Sequence, residues 1–249
     1  MFLRLFLLGC VLVLAHTAET ILGFGATLIA LALAAHFLPL ETLVPMLVIM
    51  ALVQSFWLVA RWYRYIDWRT LLLYILPLAV MGMVIGILSR EIADEDTLKI
   101  VLGTFTIMVS LAELAILFIK RAPGGQLRWY YSVPLLVGGG IFHGLFAAGG
   151  PAIVYYASRQ FRAQENFRAT LSMLWLILNI GLLTSFLMAG QMDWNKLRMT
   201  AMVLPGLVIG ILLGSVIRVK EFGFKVLTYT LLFFAGLFLL IDTIIGTGI

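Results

Sequence analysis

The sequence predicts an all-α polytopic membrane protein built as two inverted repeats, each with three full transmembrane spans plus a broken, re-entrant helical hairpin. Three observations predict it: extreme apolarity, an internal duplication, and the placement of the basic residues. Of 249 residues, 63% are hydrophobic and 12% charged, with a mean hydropathy of +1.09. Soluble domains carry about a quarter charged residues, so one core cannot hide this much apolar surface and the solvent must be lipid. The net charge of +5 comes from 17 Lys and Arg against 12 Asp and Glu. In a soluble protein that balance would raise nucleic acid as a partner. Here the basic residues sit in short loops between apolar runs and read as topology signals, which leaves the bilayer as the expected partner and no nucleic acid. A single cysteine, Cys10, excludes internal disulfides and any Cys-based metal cluster.

In chain order, apolar segments fall at 2–22, 26–38, 43–60, 70–89, 98–119, 132–147, 151–158, 169–189, 199–217 and 226–245. At 1.5 Å of rise per residue, 70–89, 98–119, 169–189, 199–217 and 226–245 reach about 28 to 33 Å and 43–60 about 27 Å, so all six suffice to span. The other four form two pairs, each interrupted by glycine. The first break is Gly23-Phe24-Gly25 and the second Ala148-Gly149-Gly150-Pro151. Glycine weakens a helix there, and proline cannot donate the N–H that would continue it. Aromatic residues flank several joints, among them Trp62, Tyr63, Tyr65, Trp68 and Trp129, as at membrane interfaces.

The duplication is visible in four motifs. Ile66-Asp67-Trp68-Arg69 is echoed by Met192-Asp193-Trp194-Asn195, and each precedes a helix carrying Pro-x4-Gly-x3-Gly, namely Pro77, Gly82, Gly86 and Pro205, Gly210, Gly214. The breaks recur at the same spacing, and His16 and His143 lie seven and six residues before the first glycine of their respective breaks. Four motifs in one order imply a repeat of roughly 120 residues. The chain then divides into a first repeat at 1–120, a cytoplasmic linker at 121–130 and a second, inverted repeat at 131–249.

Counting Lys and Arg decides the expected topology. If each broken pair crossed as one bent span, nine basic residues would lie inside and eight outside, which is no bias. If each pair dips in and returns to its own side, twelve lie inside and five outside. The second arrangement puts the first Asp-Trp joint inside and its copy outside, so the repeats are inverted. Six spans and two re-entrant hairpins result, in a multi-pass protein of the cytoplasmic membrane.

Non-helical backbone at membrane depth survives only where protein covers it or where it lines a cavity. Two glycine breaks at matching places therefore mark a site: Gly23, Gly25, Gly149, Gly150 and Pro151 shape it, and the helices starting near Ala26 and Ala152 would aim their positive N-termini at an anion. Ionisable residues in apolar segments count as functional candidates. His16 and His143 could donate to an oxyanion, relay a proton, or bond a backbone carbonyl. Glu19 lies one turn after His16 and could pair with it, which makes His16, Glu19 and His143 the candidates for proton coupling. Gln54 and Asn179 occupy corresponding places and could bind the anion or join helices. Gly82/Gly86 and Gly210/Gly214 read as helix-packing pairs. Glu113 has no counterpart in the other repeat, and Asp242 sits near a span end.

No HExxH, Walker loop, Gly-x-Ser-x-Gly or Cys/His ligand cluster occurs in the sequence. Neither an enzyme activity, a metal nor a cofactor is expected. A cation or proton exchanger would use the same broken helices with carboxylates at the centre, and a non-transporting membrane assembly subunit would need no polar site at all.

Gly23-Phe24-Gly25, the joint Asp67-Trp68-Arg69 with Pro77, Gly82 and Gly86, and the run from His143 to Pro151 (His-Gly-Leu-Phe-Ala-Ala-Gly-Gly-Pro) resemble the sulfite exporter TauE/SafE family of membrane permeases over nearly the whole chain. The resemblance implies a secondary transporter of a small sulfur-containing anion such as sulfite, thiosulfate, sulfoacetate or a similar organosulfonate, working by alternating access at a midplane site between the repeats. The first break departs from the family by placing Ala26 and Thr27 where a longer glycine run is common.

Overall fold

The computed structural model describes residues 2–22, 25–119, 127–161, 163–217 and 221–246. Gly23 and residues 121–126 of the expected linker lie outside the described residues. The chain forms α1 (Phe2–Leu22), α2 (Ala26–Ala34), α3 (Leu40–Trp62), α4 (Trp68–Thr70), α5 (Leu76–Ile92), α6 (Glu95–Ile119), α7 (Trp129–Phe146), α8 (Gly150–Gln160), α9 (Gln164–Met188), α10 (Trp194–Val216) and α11 (Glu221–Ile245). A π turn at Leu71–Ile75 joins α4 to α5 just before Pro77, whose ring and missing N–H disturb the regular ladder. Among the described residues seven helices are long and apolar enough to cross a membrane: the six expected spans and, in addition, α1 over Leu3–Ile21. At nine and eleven residues, α2 and α8 rise only about 13 and 16 Å and cannot cross.

Asp residues start two of these helices. Asp67 caps α4, its Oδ1 accepting from Thr70 N at 3.0 Å and its Oδ2 from Thr70 Oγ1 at 2.7 Å. Asp94 does the same for α6 through Thr97. Both carboxyls are held below the ordinary carboxylate range, chiefly by those bonds. The Asp-Trp joint is therefore a helix start set at the mouth of a span.

The helices gather into two compact units, and each unit draws on both halves of the sequence. The first comprises Met1–Val44, Ala93–Arg121 and Trp194–Ile249; the second comprises Pro45–Ile92 and Ala122–Asp193.

In the first unit α1 packs along α10 and α6 along α11. A Cβ on Gly206 would touch Gly9 O, one on Gly210 would meet Val13 O and the His16 Cβ, and one on Gly214 would meet the Thr20 Cβ and Thr17 O. The contacts advance together along both chains, so α1 and α10 run parallel. Thr17 Oγ1 donates to Gly210 O at 3.2 Å across this seam. At the first turn of α10, Lys196 pairs with Glu41 of the nascent α3 at 3.4 Å. The α1–α2 hairpin thus leaves one end of the unit and returns to it.

The second unit repeats this arrangement. A Cβ on Gly82 would collide with Val137 O, one on Gly140 with Ala79 O, and one on Gly144 with Met83 O, so α5 and α7 run parallel with their backbones in contact. The helix α9 begins at the same end as α4: Asn166 Nδ2 donates to Tyr65 O at 3.0 Å and Asp67 N to Thr170 Oγ1 at 3.0 Å. The α7–α8 hairpin therefore also turns back, and α8 packs on α7, where Gly139 leaves room for Ile153. Had either hairpin crossed as a single bent span, these loop contacts would join opposite ends. Both glycine pairs expected to pack helices do so, each against the broken helix of the other sequence half.

Candidate functional site

In the second unit the break follows α7, whose cap Ala147 is the one non-glycine residue with positive φ (54°) among the described residues. Gly149 comes so close to Gly139 that a Cβ there would overlap Gly139 O and lie 2.9 Å from the His143 Cβ. Only glycine permits this approach, which brings the start of α8 against His143. Gly150 faces open space, with nothing within 4 Å of where its Cβ would be. Pro151 sits in the first turn of α8, where its missing N–H costs nothing. Its N-cap, Gly149, has no side chain to cap it. The N–H groups of Gly149, Gly150 and Ala152 have no acceptor within the helix, and the end carries about +0.5 of an elementary charge.

His143 is 1% exposed, and neither ring nitrogen has a hydrogen-bond partner among the described residues. Its ring stacks on Trp175 of α9, with centroids 5.5 Å apart and an interplanar angle of 21°. One turn further along α9, Asn179 is also buried and its Oδ1 is unpartnered. Burying polar atoms without a partner costs on the order of 1–3 kcal/mol each, so unpartnered groups in one small region suit a ligand that supplies the missing bonds. An imidazole can donate from one nitrogen and accept on the other, and an amide can do both. Gln54, on the part of α3 in this unit, is buried.

Beside this region Arg90, from the last turn of α5, donates from Nη1 to Gly144 O at 3.3 Å, and its guanidinium lies 4.2 Å from the centroid of the Phe186 ring. Gly144 follows His143 and belongs to the C-terminal end of α7, where carbonyls lack intrahelical partners. The break is level with the last turns of α5 and not with its middle.

The first unit treats its break differently. Gly25 adopts φ +105° with open space around it. The Glu19 carboxylate, expected to pair with His16, places Oε2 2.8 Å from Ala26 N. The start of α2, expected to face an anion, thus already holds a carboxylate from its own chain. His16 is buried, with its Cβ against Gly210 in the α1–α10 seam, so the two histidines that align in sequence stand in different surroundings. Glu113 lies beside Tyr229 of α11.

Sequence reasoning left both Trp175 and Arg90 unmarked. Trp175 is recognisable only by standing one turn before Asn179 on the same helix face.

A polytopic helical chain with glycine-broken hairpins and unpartnered polar groups at a break belongs to the class of membrane transport proteins. The sulfite exporter TauE/SafE family matches residues 7–239. The chain belongs to that family and is a multi-pass membrane permease. No curated protein and no solved structure matches it.

Proposed function

We propose that this protein is a secondary transporter of a small sulfur-containing anion, such as sulfite, thiosulfate, sulfoacetate or a similar organosulfonate, across a prokaryotic cytoplasmic membrane. The observation that carries this reading is His143, buried with both ring nitrogens unpartnered, beside the uncapped first turn of α8. Free N–H groups and a positive helix end favour an anion, and the imidazole supplies a directed donor. Gly149, Gly150 and Pro151 shape the site, and Asn179 and Gln54 add amides. At the other break Gly23, Gly25 and His16 hold the corresponding places in the duplication.

In this reading repeats 1–120 and 131–249 are inverted about the breaks, and transport proceeds by alternating access. The two parallel glycine seams, each joining the broken helix of one repeat to a span of the other, are what such an exchange of partners between repeats would leave. His16, Glu19 and His143 are the groups that would couple transport to protons.

Proteoliposome uptake with sulfite, thiosulfate, sulfoacetate, sulfate and a panel of cations tests the proposal. Uptake of a sulfur oxyanion that His143→Ala abolishes is the expected result. Cation flux without anion flux, or no flux at all, would replace this reading by an exchanger or an assembly subunit.

A further inference from the structure

We propose that Arg90 is the cationic ligand of the anion at the second break, a role that rests on the anion-transport reading above. Arg90 lies within the Trp68–Ile92 span, two residues from its end, where an arginine ordinarily extends into water. Instead its guanidinium lies over Phe186 and reaches one carbonyl of α7. Among the described residues no carboxylate is paired with it. A partly buried guanidinium has five N–H donors in a planar fork, and one of them is used here.

The carbonyl it holds belongs to the residue after His143, so the guanidinium, the unpartnered imidazole and the uncapped start of α8 converge on one break. The anion completes all three. It accepts from the imidazole and the helix amides, and it gives the guanidinium the direct ion pair that the neighbouring Glu91 carboxylate does not form among the described residues. A fork of parallel N–H groups matches an edge of two oxygens, which sulfite, sulfonate and sulfate offer and a halide does not.

The duplication supports the same assignment independently. The Pro-x4-Gly-x3-Gly pattern extends by one further turn to arginine in both halves, ending at Arg90 in the first and Arg218 in the second. A topology signal alone has no reason to keep register with a helix-packing motif. Arg218 lies outside the described residues.

Purified full-length wild type, Arg90→Gln and Arg90→Lys are titrated with sulfite, with thiosulfate and, separately, with chloride, and each variant's melting temperature is measured without anion. Arg90→Gln is expected to weaken sulfite binding about 10- to 100-fold. Arg90→Lys keeps the charge and loses the fork, so it should recover part of the affinity while its preference for sulfite over chloride falls. A structural brace would lower the melting temperature and leave that preference unchanged; this result overturns the proposal, as does wild-type affinity in Arg90→Gln. If Arg90→Gln fails to fold, the preference measured in Arg90→Lys decides alone. Wild type that binds neither sulfite nor thiosulfate overturns the transport reading itself.

Discussion

Gly144→Ala probes the seam that carries the second break. A Cβ at Gly144 would run into Met83 O and would stand 2.9 Å from Ile87 N and 3.0 Å from Gly86 Cα. All three are backbone atoms, so no side chain can turn aside, and α5 and α7 must separate by about 1 Å to restore ordinary contact distances. Overpacking of this kind costs about 1–3 kcal/mol. The better helix propensity of alanine returns about 0.5–1 kcal/mol. The net loss, up to about 2.5 kcal/mol and centred near 1 kcal/mol, corresponds to a fall in melting temperature of up to roughly 10 °C for a chain of this length. Gly138, on the same helix, has nothing within 4 Å of its would-be Cβ, so Gly138→Ala should gain the propensity term and melt about 1–4 °C higher. Separation of the helices also pulls Gly144 O away from Arg90, so anion binding should weaken in Gly144→Ala and not in Gly138→Ala. Thermal scans of the two variants in one detergent give the comparison. If Gly144→Ala melts at or above Gly138→Ala, the close backbone contact is not what holds α5 to α7.

Asp67→Ala should cost about 0.5–2 kcal/mol at pH 7 through loss of the α4 cap. Because the folded-state pKa is depressed, the cap's contribution is complete above the unfolded value of about 3.9 and is lost as pH falls through the lower folded value. The gap in melting temperature between wild type and variant should therefore shrink as pH falls below the unfolded value of about 3.9; a gap that stays constant on acidification removes this account. In a Cys10→Ser background, single cysteines at Arg64 and Ala163 should label from one side of the membrane, and those at Glu41 and Lys196 should share a side with each other. Labelling of either pair from opposite sides contradicts the returning hairpins.

The six expected spans were legible because lipid exposure demands long apolar runs, and Phe234, Phe238 and Ile241 of α11 are indeed exposed on the surface. The breaks were legible because glycine and proline act locally on the helix ladder. The contacts at Tyr65–Asn166 and Glu41–Lys196 agree with what the basic-residue count implied about returning hairpins. Partner choice was not legible. The pattern Gly82/Gly86 announces a close approach but not that its partner is α7, since the complementary surface is itself a line of glycines carrying no polarity signal. Nor did local sequence reveal that Glu19 would reach seven residues ahead to Ala26, or that Arg90 would fold inward over Phe186. Both satisfy backbone groups freed by the breaks: a carboxylate takes an N–H at one and a guanidinium takes a carbonyl at the other. The first occupies a helix N-terminus, and the second leaves one open. That difference concentrates the account on α8 and His143.

Trp175 offers a direct optical test, because it stacks on His143 at 5.5 Å. Titration of the reconstituted protein with sulfite while tryptophan emission is recorded should give a saturable change in wild type. The change should disappear in Trp175→Phe with sulfite uptake retained, and both the change and uptake should disappear in His143→Ala. An equal, saturable response in His143→Ala would contradict the claim that the anion binds at the second break.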